Sequence, residues 1–223
     1  MKKKKKNLRD EIPMMNIPSK LEFNINSGLE EWQRRVDIEQ RRLYLYHTII
    51  SHGEDTLGSY ETAYIIESIM YYNRIDKDKP ISERIPVILY INSPGGDITE
   101  GFSLIAAIEL SKTPIYTVNV GEWSSMSFWV GITGHKRYSL PYMTFLMHDG
   151  DAGFYSSASK AQDSMDYYKR FNQEVIREHV LKYSNMKKTD YDALSRVELY
   201  MLPEDALERG FIDEIVTDID DIL

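Results

Sequence analysis

From Arg41 onward the chain alternates short apolar runs with amphipathic stretches. Leu43–Ile50 is rich in β-branched, aromatic and leucine residues and predicts a strand, and Ile65, Ile66, Ile69 and Met70 fall at helical spacing and predict a helix over about Tyr60–Tyr72. Pro86–Asn92 predicts the next strand. Its Val87–Ile91 portion is apolar at successive positions, so both of its faces are buried, as in a parallel sheet. A helix over Thr99–Leu110, a strand over Ile115–Val120, a helix starting near Ser125 and a strand over Thr144–Met147 continue the rhythm. Strand, helix, strand in this order implies an α/β fold with a parallel sheet and crossover helices. Beyond a Gly/Ser-rich stretch at Gly150–Ser159, Met165, Tyr168, Phe171, Val175 and His179 recur every three or four residues and predict one helix over Lys160–Tyr183. A helix that long projects from a compact domain or packs on a neighbour, a first sign of oligomerisation. Short helices over Thr189–Ser195 and Pro203–Arg209, the second stopped by Gly210, and a strand-like Phe211–Val216 close the pattern.

Residues 1–40 lack a sustained period, carry Pro13 and Pro18 and mix charges, which predicts an N-terminal arm ahead of one domain over 41–223. A chain of 223 residues with 42% hydrophobic positions can bury one substantial core. No apolar run reaches the roughly 18 residues a membrane span needs, and the lysine run Lys2–Lys6 is not followed by the apolar stretch of a secretory signal, so a cytosolic protein without membrane contact is expected. The absence of cysteine excludes disulfides, thiolate catalysis and cysteine-ligated zinc. A net charge of −8 argues against a general nucleic-acid surface, and Lys2–Lys6 reads as a solvated tail.

Three segments carry chemistry. Asn92-Ser93-Pro94-Gly95-Gly96-Asp97 lies between a buried strand and a helix. Pro then Gly suits the centre of a type II turn, and the second Gly leaves backbone amides free to face a bound oxyanion, although a plain strand-to-helix turn explains it equally well. Gly121-Glu122-Trp123-Ser124-Ser125-Met126 also links a strand to a helix. Ser124 or Ser125 would there hold a hydroxyl near exposed amides and the positive end of the helix dipole, or would serve only as an N-cap. In Thr144–Asp149, His148 ends an apolar strand and is placed to take a serine proton, because imidazole titrates near neutrality. His47, His52, His135 and His179 compete with it; His179 has core-like spacing and His52 lies in a polar loop, so both read as structural. No His, Asp or Glu cluster has metal-ligand spacing, so neither metal nor cofactor is expected.

Taken together, these segments resemble the ClpP family, the proteolytic subunits of ATP-dependent Clp proteases. Leu89-Tyr90-Ile91-Asn92-Ser93-Pro94-Gly95-Gly96 is similar to the family's strand and oxyanion turn, and Gly121-x-x-x-Ser125-Met126 to its nucleophile motif, which selects Ser125 over Ser124. Lys136-Arg137-Tyr138-Ser139-Leu140-Pro141, Met147-His148, and Ala206 with Gly210-Phe211-Ile212-Asp213 are similar to further family stretches, and the likeness spans about residues 41–217. The resemblance implies a ClpP/crotonase-like fold with a long handle helix. It also implies a Ser-His-Asp triad cleaving unfolded polypeptides through an acyl-enzyme, with the sites enclosed in stacked heptameric rings of this chain fed by an AAA+ unfoldase. Ser125 would be the nucleophile, His148 the base, and the backbone of Gly95, Gly96 and Met126 the oxyanion site.

The third triad member departs from the pattern. Counting back from Gly210, its position falls on Leu194, which cannot orient an imidazole; Asp192 is the favoured substitute, with Asp190 and Glu198 as alternatives. Glu122, Trp123 and Asp149-Gly150 also differ from the family pattern and put the shape of the cleft in question. Two further readings stay open: a catalytically silent ring subunit with a structural or regulatory role, and a crotonase-type enzyme acting on an acyl-CoA thioester.

Overall fold

The computed structural model describes residues 39–51, 57–150, 156–194 and 197–222, all within one unit spanning Asp37–Leu223. The expected arm falls almost wholly outside the described residues, as do His52 and parts of the Gly150–Ser159 stretch. β1 (Arg42–Leu45) is followed by α1 (Leu57–Ile75), β2 (Val87–Ser93), α2 (Ile98–Leu110), β3 (Ile115–Ser124) and α3 (Met126–Ile132). β4 (Lys136–Ser139), β5 (Thr144–Met147), α4 (Ala158–Phe171), a π-helical turn (Asn172–Ile176) and α5 (Arg177–Lys182) come next. α6 (Lys188–Leu194), β6 (Leu199–Met201), α7 (Pro203–Glu208) and β7 (Glu214–Ile215) complete the order.

The strands form one sheet, β1-β2-β3-β4-β7, in which every neighbouring pair is parallel. β3 is longer than its neighbours, and its last residues pair with β5, also parallel, while β6 runs antiparallel on the far side of β5. The mixed α/β layout with crossover helices is the one the alternation of apolar runs predicts. Ile65, Ile69 and Tyr72 of α1 and Leu104, Ile105 and Ile108 of α2 recur at three and four residues and bury against Leu89, Ile91 and Ile115 of the sheet. A smaller, tyrosine-rich cluster covers the opposite face, where the hydroxyl of Tyr90 donates to the Ile222 carbonyl at 2.6 Å.

Some boundaries differ from the sequence reading, for local reasons. β1 stops at Leu45 rather than Ile50 because the Tyr46 and His47 N–H groups donate to the Glu61 carboxylate on α1, at 3.1 and 3.0 Å, instead of to a strand. The expected helix over Lys160–Tyr183 starts at Ala158 and is interrupted by the π-helical turn. None of the residues of α4 is fully buried, and its last residue, Phe171, packs on the core edge-on to Phe102. β4 and β6 were not predicted: four residues reading Lys-Arg-Tyr-Ser and three reading Leu-Tyr-Met give too little pattern. Among the described residues, no helix is long and apolar enough to cross a membrane.

Candidate active site

β3 ends at the segment the sequence singled out. Trp123 and Ser124 pair with Phe145 and Leu146 of β5, and the N–H of Ser125 donates to the Leu146 carbonyl at 2.9 Å. Ser125 then turns with φ 56° and ψ −123°, a left-handed backbone in a residue that carries a Cβ, and such strain costs about 1–3 kcal/mol wherever the surroundings enforce it. The seven residues of α3 are all buried and hold the turn in place. Ser125 occupies the N-cap position of α3, yet its side chain makes no capping hydrogen bond. The plain N-cap role is therefore not the one its hydroxyl plays. Ser124 is otherwise occupied, its hydroxyl donating to Glu122 Oε2 at 2.9 Å. Ser127 fastens the turn to β2: its Oγ accepts the Ser124 N–H at 2.9 Å and donates to the Ser93 carbonyl at 2.5 Å.

The Pro94-Gly95-Gly96 turn lies directly against this strained backbone. Gly95 has φ 89°, as the second central residue of a type II turn requires, and a Cβ on it would come within 2.5 Å of the Ser124 carbonyl and 2.6 Å of the Met126 nitrogen. Only glycine permits that approach. A Cβ on Gly96, where φ is 141°, would collide with the Ile49 carbonyl, and Ile49 bonds to the residues on either side, Gly95 and Asp97, at 2.8 and 2.7 Å. The Gly95 N–H donates to Ser93 Oγ at 3.2 Å. Gly96 is exposed, and Met126, as the first residue of α3, has no intrahelical acceptor for its N–H. These two amides are the donors the turn offers beside Ser125.

His148 follows β5 immediately, two residues beyond the carbonyl that binds Ser125. Its Nε2 is buried and has no hydrogen-bond partner, so no hydrogen bond joins it to Ser125 in this structure. The competing histidines among the described residues are committed elsewhere. His179 is buried between the Trp129 carbonyl and the Thr133 hydroxyl, both at 3.1 Å, and burial holds its pKa below the usual range. His135 Nδ1 accepts the Ile115 N–H at 3.1 Å, and the exposed His47 lies 3.1 Å from Glu61.

The carboxylates are sorted by secondary structure. On α6, Tyr191 and Leu194 face the core, while Asp190 and Asp192 are exposed on the other side. Asp192 lies 3.9 Å from Arg177, and Asp190 accepts the Thr189 hydroxyl at 3.2 Å. Glu198 is placed differently. The antiparallel ladder of β5 and β6 pairs Phe145 with Met201, Leu146 with Tyr200 and Met147 with Leu199, so one further step sets Glu198 opposite His148. Phe145, Met147 and Met201 are buried, which leaves Leu146, His148, Tyr200 and Glu198 on the other face of the ladder. In the structure Glu198 Oε2 accepts a hydrogen bond from the Tyr200 hydroxyl at 2.9 Å, and this bond raises the Tyr200 pKa above its ordinary value.

Two remaining departures from the family pattern are packed or tied down. Trp123 is fully buried, edge-on to Phe145 and against Gly131, so it fills the core rather than the cleft. Asp149 next to His148 is tied by its carbonyl to the Tyr168 hydroxyl at 2.5 Å. The Tyr191 hydroxyl is pushed up to about 12, first by burial and then by the charge of Asp149. Among the described residues, no group of three His, Cys, Asp or Glu side chains could hold a metal ion.

Comparison with known proteins agrees with this architecture. The family model for Clp protease matches residues 33–218, and the chain belongs to that family. Among its relatives, an ATP-dependent Clp protease proteolytic subunit of Dehalococcoides mccartyi is 32% identical over 156 residues, covering 68% of this chain and 74% of the relative. The ATP-dependent Clp protease proteolytic subunit 2 of Thermobifida fusca is 29% identical over 163 residues, covering 71% of this chain and 75% of the relative.

Proposed function

We propose that this chain is a cytosolic serine endopeptidase that hydrolyses unfolded polypeptides through an acyl-enzyme. The observation that carries the reading is the strained turn at Ser125, whose hydroxyl is left out of the N-cap bond while its N–H is bonded to the strand that leads into His148. In the reaction Ser125 Oγ attacks the scissile carbonyl carbon as His148 Nε2 takes its proton. The oxyanion is bound by the N–H groups of Gly96 and Met126, and His148 returns the proton to the leaving amine. Water activated by His148 then releases the acyl group. Glu198, opposite His148 in the β5–β6 register, is the carboxylate that orients the imidazole, in preference to Asp192 on the outer face of α6. The rearrangement that joins Ser125, His148 and Glu198 accompanies assembly into stacked heptameric rings or contact with an AAA+ unfoldase. The exposed α4, with Met165 and Tyr167 uncovered, offers the apolar surface such an assembly buries, and the relatives' name, ATP-dependent Clp protease proteolytic subunit, supports the ATPase partner.

One observation favours a second reading. The unpartnered His148 Nε2 also fits a ring subunit that no longer turns over. Intact-mass labelling of the full-length protein with a fluorophosphonate separates the two. One adduct, lost in Ser125→Ala and His148→Ala and slowed in Glu198→Gln but not in Asp192→Asn, supports the peptidase. No adduct on an assembled, folded ring supports the silent subunit.

A further inference from the structure

We infer that Tyr200 is a positioning residue that governs the site by competing with His148 for the Glu198 carboxylate. The inference rests on the assignment of Glu198 as the orienting carboxylate. Glu198 and Tyr200 are two residues apart on one strand and so project from the same face. Tyr200 stands opposite Leu146, and continuing the register one step past its last pair, Met147 with Leu199, sets Glu198 opposite His148. Side chains directly opposite in an antiparallel pair have Cβ atoms about 4.5–5.5 Å apart, which a glutamate spans easily. The carboxylate therefore has two partners within reach, one along its own strand and one across the ladder. The structure records the first arrangement, with Tyr200 donating to Oε2 at 2.9 Å and, among the described residues, no hydrogen bond or ion pair joining Glu198 to His148. An imidazole without its carboxylate has neither tautomer nor ring plane fixed, so the Tyr200-bound state is the less reactive one. Tyr200 is exposed and carries no core contact that would require a hydroxyl in this place. Because Tyr200 and Glu198 are exposed, a peptide or a neighbouring subunit laid along β6 would displace the phenol and release the carboxylate to His148.

The test is the rate of acylation by a fluorophosphonate, resolved into its maximal rate and its half-saturating concentration, for Tyr200→Phe in the natural chain and in a Glu198→Gln background. Losing one neutral-to-charged hydrogen bond at an exposed position should raise the maximal rate about two- to tenfold, with the half-saturating concentration unchanged. In the Glu198→Gln background the same substitution should have no effect, which a merely structural role for Tyr200 would not produce. Tyr200→Leu, also without a hydroxyl, should accelerate acylation like Tyr200→Phe. A Tyr200→Phe rate at or below the natural one, with Glu198→Gln slow, overturns the competition and leaves the Glu198 assignment standing. A Glu198→Gln rate equal to the natural one overturns the assignment and the competition with it.

Discussion

β2 and β3 lie side by side, and the polar groups at their two ends are treated in opposite ways. At the N-terminal end Asp76 is fully buried and fully partnered: Arg41 donates to both of its oxygens at 2.7 and 2.9 Å, Lys79 at 2.8 Å and the Thr113 hydroxyl at 3.2 Å. Burial on its own would raise the Asp76 pKa, but the hydrogen bonds and charges of Arg41 and Lys79 outweigh it and hold the group at about 2. At the C-terminal end Ser125 is strained and its hydroxyl makes no capping bond, and His148 Nε2 is buried without a partner. Ligands of open α/β sheets bind at the carboxyl ends of the strands. One end of the sheet satisfies a buried ion cluster and stabilises the fold; the other leaves a strained serine and an unpartnered imidazole nitrogen.

The sharpest way to break this contrast is to remove a group from each end. Ser125→Ala or His148→Ala should slow acylation or peptide hydrolysis by about 10⁴-fold or more while the melting temperature is kept or raised. Asp76→Ala should do the reverse, costing about 3–5 kcal/mol in denaturant unfolding because it leaves Arg41 buried and uncompensated. The acid limb of stability sharpens the comparison further. The folded-state pKa of Asp76 is depressed, so its contribution is complete above its unfolded value of 3.8 and is lost as pH falls through about 2. That displacement corresponds to roughly 2 kcal/mol, and unfolding titrations of Asp76→Asn should lack it. Smallest of all, Ser125→Gly should gain about 1 kcal/mol by relieving the positive φ, a stability increase with no counterpart at the Asp76 end.

Much of this was legible in the sequence where pattern and burial coincide. Val87–Ile91 reads as a two-faced buried strand because it is one, and the Pro94-Gly95 turn follows from residues whose backbone demand is local, whereas the positive φ of Ser125 is imposed by its surroundings and has no local signal. The carboxylate proposed to orient the imidazole was not legible in the same way. Counting along the chain from Gly210 arrives at Leu194, whereas the pairing of β6 with β5 points to Glu198, and a three-residue strand leaves no periodicity from which to infer that pairing. The burial of Trp123 was hidden for a related reason: it depends on Gly131 one helix later, which makes room for the indole. The competition between Tyr200 and His148 is likewise a property of register, invisible until two strands are aligned.

The most direct test of the account is hydrolysis of a disordered, fluorescently labelled polypeptide by the full-length chain, comparing the natural protein with Ser125→Ala and Glu198→Gln. The account predicts release of small peptides by the natural chain, slower release by Glu198→Gln and none by Ser125→Ala. Undiminished cleavage by Ser125→Ala would contradict it.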